Sequence, residues 1–175
     1  RQDLLDLLPD EDTEREMYDL TGKKLEENGY YRYEISNYAK QGFECKHNIV
    51  YWKQKEYLGI GLGASSYFQG ARFKNEENFS SYLKMPYIPI EKRAQYTMLS
   101  AKDKMEEFMY LGLRMTEGIS KALFENTFQR KIEDVYGEVL KKYEKMELLR
   151  EKGDLIYFTK KGLDVSNQVL WEFLL

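Results

Sequence analysis

Cysteine, histidine and proline are scarce in this chain of 175 residues: one Cys, one His and three Pro. A single Cys excludes an internal disulfide, and with no signal peptide visible the expected compartment is a reducing cytoplasm. One thiolate is also too few for an iron–sulfur cluster, which needs several, so any such chemistry has to come from residues outside this sequence. No apolar run approaches the roughly 20 residues that span a bilayer. Charge of one sign is not in surplus either. A formal net charge of −3 provides no global attraction for nucleic acid or anionic lipid. The chain opens on Arg1-Gln2-Asp3 without an initiator Met, as a cut from something longer would.

What is abundant is aromatic: 15 Tyr, 9 Phe and 2 Trp. Hydrophobic residues reach 42%, enough to fill the core of one domain and a small second one. Unusual residues concentrate between Tyr33 and Ser66, where the only Cys (Cys45), the only His (His47), one Trp (Trp52) and the densest glycine run lie together.

Taken in order, Leu8-Pro9-Asp10 precedes a helix whose cap is Asp10, Asp12 or Thr13, and Asn28-Gly29 ends it. Alternation from Tyr30 to Ser36 predicts a strand with Tyr31, Tyr33 and Ile35 on one face and Arg32, Glu34 and Ser36 on the other. A loop with Gly42 follows. Ile49–Trp52 and Tyr57–Leu62 read as further short strands, the second with Leu58, Ile60 and Leu62 on one face and Gly59 and Gly61 on the other. Residues 76–83 suit a short helix. Pro86 and Pro89 break regular structure, which puts a boundary between Lys84 and Tyr96.

The second part is mostly helical. Met105, Phe108, Met109, Gly112 and Met115 form one stripe, Ser120 caps a short helix, and Ile132 to Met146 gives the longest amphipathic pattern. Lys152-Gly153-Asp154 predicts a hairpin turn, and a last helix carries Val169, Leu170, Phe173 and Leu174. Helix, short helix, helix, hairpin, helix is winged-helix order. Residues 101–175 carry 13 Lys and Arg against 14 Asp and Glu, without the basic stripe of a DNA reader, so no nucleic-acid partner is expected.

His47 is a candidate metal or haem ligand, or a proton carrier, beside Cys45 as thiolate, Tyr51 as phenolate and Trp52 as a flat apolar surface. On a strand, His47 and Tyr51 would stand roughly 13 Å apart; on a helix, i and i+4 are neighbours. A turn leading into a strand is the expected arrangement, with at most one of the two as axial ligand. Gly59-Ile60-Gly61-Leu62-Gly63-Ala64 fits G-x-G-x-x-G/A only loosely, because Ser65-Ser66-Tyr67-Phe68 does not read as the helix that this fingerprint requires. Alternate glycines instead strip one face, so that either a flat ligand or another backbone can approach.

These residues carry a resemblance. Leu8-Pro9-Asp10-Glu11-Asp12-Thr13, Tyr33-Glu34-Ile35-Ser36-Asn37-Tyr38-Ala39, Glu44-Cys45-Lys46-His47-Asn48, Tyr51-Trp52 and Tyr57-Leu58-Gly59-Ile60-Gly61-x-Gly63-Ala64 resemble, in order, the C-terminal half of the radical S-adenosylmethionine proteins related to oxygen-independent coproporphyrinogen III oxidase. The likeness continues through Leu111-Gly112-Leu113-Arg114-Met115-x-Glu117-Gly118 to Phe158-Thr159-x-x-Gly162-Leu163. Leu62 stands where relatives often carry Pro. His47-Asn48-x-x-Tyr51-Trp52 is similar to the signature of the haem-chaperone branch, which the oxidases lack.

The resemblance implies an α+β fold: the tail of a partial (β/α)6 radical S-adenosylmethionine barrel over residues 1–85, a linker over 86–100 and a mostly helical, winged-helix-like cover over 101–175. It implies haem as ligand and an acceptor haemoprotein as partner, and it admits a homodimer. His47 becomes the haem-contacting residue and iron ligand. Asn48, Tyr51 and Trp52 shape the pocket, and Gly59, Gly61, Gly63 and Ala64 border it. The 4Fe–4S cluster and most S-adenosylmethionine contacts of the family fall upstream of Arg1. Two other functions stay open on the residues alone: an oxygen-independent coproporphyrinogen III oxidase and a winged-helix binding module.

Overall fold

A computed structural model describes residues 8–84 and 89–175. The chain packs as two units, Arg1–Cys45 and Lys46–Leu175. In the first, helix α1 (Glu11–Glu27) starts where the Asp10 carboxylate accepts the Thr13 N–H at 2.8 Å. Acidic Glu11, Asp12 and Glu14 sit in its first turn, where the helix dipole favours them. Asn28 caps the other end and Gly29 turns away at φ +78°.

The strand expected over Tyr30–Ser36 is much shorter. Among the described residues, the two-residue strand β1 (Tyr31–Arg32) forms there, antiparallel to β2 (Tyr38–Ala39), inside the segment expected to be loop. Beyond Arg32 the chain folds back. The Tyr33 N–H donates to the Asn37 carbonyl at 3.2 Å, and Arg32 Nε donates to the Ile35 carbonyl at 2.9 Å. Glu34, placed by alternation on the face opposite Tyr33 and Ile35, is fully buried, and its carboxylate accepts the Ser36 N–H at 3.0 Å and the Asn37 amide. A side chain that gathers the donors of its own turn competes with a strand ladder, so periodicity fails here.

The second unit begins with α2 (Lys46–Trp52), a helix where Ile49–Trp52 predicts a strand. β-Branched and aromatic side chains favour strands, and seven residues are too few for an isolated helix. Its surroundings decide. The Gln54 N–H donates to the Tyr51 carbonyl at 3.1 Å and the Lys55 N–H to the Val50 carbonyl at 2.9 Å, with Gln54 left-handed at φ 47°. This pair of bonds is a Schellman stop.

Tyr57–Leu62 is likewise no strand. Only Tyr57 bridges, to Tyr67, and Leu58, Ile60 and Leu62 all face solvent. Three antiparallel strands follow in the order β3 (Ser65–Phe68), β4 (Ala71–Lys74) and β5 (Ala94–Met98). The β3–β4 link is Gln69-Gly70, both at positive φ, the conformation that suits a two-residue hairpin. Helix α3 (Phe79–Lys84) is capped by the Asn78 side chain, which accepts the Ser81 N–H at 3.0 Å. Pro86 lies outside the described residues. A 3-10 turn (Ile90–Lys92) and β5 occupy part of 86–100.

Helix α4 (Ala101–Gly112) opens on a capping box between Ser100 and Asp103 and buries Met105 and Met109. Strand β6 (Ile119–Ser120) leads into α5 (Lys121–Phe128), capped as expected by Ser120, whose Oγ accepts the Leu123 N–H at 2.9 Å. Helix α6 (Ile132–Lys145) buries Ile132, Tyr136 and Tyr143. The hairpin β7 (Leu149–Lys152) and β8 (Leu155–Phe158) joins β6 in a sheet of order β6-β8-β7. The last helix forms in two pieces, α7 (Lys160–Asp164) and α8 (Ser166–Trp171). Val169, Leu170 and Phe173 are buried as expected, whereas Leu174 is exposed. The core centres on Phe124, whose ring meets Phe108 at 5.4 Å, Phe128 at 4.7 Å and Tyr136 at 6.1 Å.

Candidate functional site

Because α2 is a helix, His47 and Tyr51 lie one turn apart on one face. Tyr51 Oη is 2.8 Å from His47 Nε2, and the rings meet edge to face at 4.8 Å. This corrects the separation expected from a strand. Tyr51 in turn stands edge to face on Tyr57 at 4.6 Å. His47 is exposed, Asn48 is half-buried, and Cys45, in the first unit, is an exposed free thiol.

The far end of α2 is fastened to α4 and the loop after it. The Arg114 guanidinium lies 4.4 Å from the Trp52 ring centre, a stacked cation that fixes the indole plane. Lys53 pairs with Glu117 at 2.7 Å. Gln54 Nε2 donates to the Lys104 carbonyl at 3.2 Å and to Glu107 at 3.3 Å, and Glu107 also accepts from Arg72 at 2.8 Å. Among the described residues the buried Trp52 indole N–H finds no hydrogen-bond partner, a situation that native structures seldom keep.

Among the described residues, cavities lie against this helix. One of about 510 Å³ is lined mainly by Trp52–Lys55, Phe108, Met115, Ile119, Leu123 and Leu155. Another of about 260 Å³ is lined by Tyr51, Trp52, Tyr57, Tyr67, Arg72 and Leu111 among others. His47 lines neither. Burial raises the Tyr57 and Tyr67 phenols above the ordinary tyrosine value, with Arg72, on the same cavity, opposing it.

The glycine run forms a tight loop. A Cβ on Gly59 would stand 2.2 Å from the Ser65 carbonyl oxygen. Of the two readings of a stripped face, the second holds at Gly59, where the protein's own backbone makes the close approach. Gly61, at φ +105°, has open space where its Cβ would be. The Gly63 N–H donates to the Glu76 carbonyl at 2.9 Å and the Ala64 N–H to Gly61 at 3.4 Å. Asn75, which the sequence reading passed over, holds the Gly59 and Gly61 carbonyls through its side-chain amide at 3.1 and 2.9 Å. An Asn at the end of a strand, just before an acidic pair, offers no distinctive signal.

Among the described residues, no three His, Cys, Asp or Glu side chains are grouped to hold a metal ion. With Cys45 as the only thiol, the donors do not fit a 4Fe–4S cluster. They do fit haem. An exposed imidazole is oriented by a phenol, and aromatic surface lies along the same helix. No helix among the described residues is long and apolar enough to cross a membrane.

The fold is a mixed α+β arrangement of short helices and small antiparallel sheets, and residues 99–165 match the HemN C-terminal domain family. The chain is 44% identical over 168 residues to the heme chaperone HemW of Lactococcus lactis, covering 96% of this chain and 44% of that protein. It is 35% identical over 170 residues to the heme chaperone HemW of Bacillus subtilis, covering 95% of this chain and again 44% of the relative. The chain is a HemW homologue, corresponding to the C-terminal part of those proteins and spanning less than half their length. The structure of coproporphyrinogen III oxidase (HemN) from Escherichia coli, a radical SAM enzyme, superposes with a TM-score of 0.70 at 17% identity, over 95% of this chain and 42% of that one. This likeness concerns the fold.

Proposed function

We propose that the chain is the haem-handling part of a haem chaperone, binding haem and passing it to acceptor haemoproteins. The observation that carries this reading is the His47–Tyr51 pair, an exposed imidazole hydrogen-bonded to a phenol at 2.8 Å. Its relatives' names point the same way. Haem is the cargo, and its iron takes an axial nitrogen from His47. The Tyr51 hydroxyl occupies Nε2 and orients the ring, so Nδ1 is the nitrogen left for iron. Tyr51 and Trp52 shape the pocket against the porphyrin face, Asn48 lies beside them, and Gly59, Gly61, Gly63 and Ala64 border it. An exposed ligand suits a carrier, since an acceptor can reach the iron without the fold opening.

Residues 1–85 continue the partial barrel of the longer proteins and 101–175 form the cover, with the helix and strand order of a winged helix. The match over 99–165 supports a boundary near Ser100. The near-neutral charge of the cover argues against nucleic acid as partner, and an acceptor haemoprotein is the partner that a haem carrier requires. The cluster and S-adenosylmethionine belong to the remainder of such proteins, and no step on this chain runs through them.

The test is a haem titration followed at the Soret band, on this chain and on a full-length relative carrying the equivalent changes. His47→Ala weakens binding tenfold or more, whereas Cys45→Ala leaves it within twofold; these figures are order-of-magnitude expectations for losing one axial ligand. Unchanged binding in His47→Ala, with a loss in Cys45→Ala, makes the ligand assignment wrong.

A further inference from the structure

Asn75 is nine-tenths buried, and every hydrogen-bonding group of its side chain is in use. Its two amide hydrogens reach the carbonyls of Gly59 at 3.1 Å and Gly61 at 2.9 Å. Its Oδ1 accepts from Arg93 Nη1 at 3.1 Å, and its backbone N–H donates to the Ala64 carbonyl at 2.9 Å. The partners fix which way the amide points, since two carbonyls require N–H donors and a guanidinium requires an oxygen. Arg93 is held in turn, lying 5.3 Å from the Phe73 ring centre.

The loop between Tyr57 and Ala64 has no ladder of its own. Its first residue is anchored by the Tyr57–Tyr67 bridge, and the Gly59 N–H donates to Ser66 Oγ at 3.0 Å. Between those points and Gly63, the Gly59 and Gly61 carbonyls are tied by Asn75. In this shape Ile60 is 93% exposed, and Leu58 and Leu62 are exposed beside it. Three branched apolar side chains directed at water need something to hold them, because a free glycine-rich segment would otherwise collapse or move.

We propose that Asn75, buttressed by Arg93, is the positioning residue of the glycine loop, holding it before haem arrives in the one shape that offers Ile60 and Leu62 to the porphyrin. This rests on the reading of residues 59–64 as the pocket border. Asn75 touches the loop and not the haem, so its contribution is to preorganisation, which raises affinity by removing the ordering cost from the binding step. Asp in its place keeps the acceptor for Arg93 and loses both donors, setting a carboxylate against two carbonyls.

The experiment pairs amide hydrogen exchange with haem titration on the chain as it stands, comparing Asn75→Ala, Asn75→Asp and Arg93→Gln. The Gly59, Gly63 and Ala64 amides exchange about tenfold faster or more in both Asn75 variants, as expected for loss of two hydrogen bonds, while the α6 amides keep their protection. Haem affinity falls about tenfold in step. Arg93→Gln moves both in the same direction by less, and it carries the test if neither Asn75 variant folds. Unchanged loop exchange shows that Asn75 does not hold the loop. Faster loop exchange with unchanged haem affinity shows that the loop does not meet the ligand. Either result overturns the proposal. If the parent chain takes up no haem, the haem-chaperone reading fails, and the exchange data still decide whether Asn75 holds the loop.

Discussion

The Tyr51 hydroxyl lies 2.8 Å from His47 Nε2 because α2 turns once between the two residues. This contact joins the chain's only imidazole to a phenol that is itself braced against Tyr57. Removing the hydroxyl alone separates orientation from ligation. Tyr51→Phe weakens haem binding about fivefold, the equivalent of one ordinary hydrogen bond, and less than His47→Ala does. A Soret titration of both variants measures the difference. If Tyr51→Phe equals or exceeds His47→Ala, the phenol rather than the imidazole is the iron ligand.

Phe124 has no exposed surface and touches the Phe108, Phe128 and Tyr136 rings. Phe124→Ala leaves a cavity among rings that belong to three helices, at a cost of about 3–5 kcal/mol. Urea unfolding followed by far-UV circular dichroism gives the value. A loss below about 1 kcal/mol would mean that the helices close over the gap and that the Phe124 contacts do not hold them apart.

Asp154, in the hairpin turn, accepts from the Ser120 hydroxyl and from the Ala122 N–H at 2.8 Å, so the hairpin helps to cap α5. These bonds hold its carboxyl below the ordinary value of 3.8, the Ser120 hydroxyl contributing most. A carboxyl depressed in the folded state stabilises it above the unfolded value, and that contribution disappears as pH falls through the folded value. The thermal midpoint of the parent therefore drops below about pH 4 more steeply than that of Asp154→Asn. Parallel acid limbs in the two proteins would remove Asp154 from the account.

The near-neutral cover segment predicts no salt-sensitive DNA binding. Phosphate contacts release counterions, so genuine binding weakens steeply as salt rises. Fluorescence anisotropy with a labelled duplex between low and physiological salt shows no micromolar binding. A salt-dependent micromolar affinity would reopen the winged-helix binding reading.

The outer elements were legible in the chain, and the candidate site was legible only as a list of residues. Asp10, Ser120 and Gly153-Asp154 sit where caps and turns belong, because capping depends on a few adjacent residues. The Ile132–Met146 pattern became α6 because a long amphipathic face has a single way to be buried. Short segments failed. Ile49–Trp52, Tyr57–Leu62 and most of Tyr30–Ser36 carry β-type residues or alternation, yet the first is helix, the second is loop and the third bends around Glu34. At such lengths local preference amounts to about 1 kcal/mol or less, and distant partners outweigh it.

By itself the sequence determined which chemistry was available: one thiol, one imidazole, a wealth of aromatic rings and a glycine run beside them. It also determined the order of the C-terminal helices and hairpin, whose signals are local. Only the tertiary structure decided that His47 and Tyr51 meet, since that depends on whether seven residues form a helix or a strand. The deciding contacts come from Arg114, Glu117, Lys104 and Glu107, which lie 50 or more residues further along the chain. It also decided that the glycines fold back on Ser65 and Asn75 instead of lying flat. Hydrogen bonds and burial act through space, and residues far apart in the chain set the geometry on which the chemistry depends.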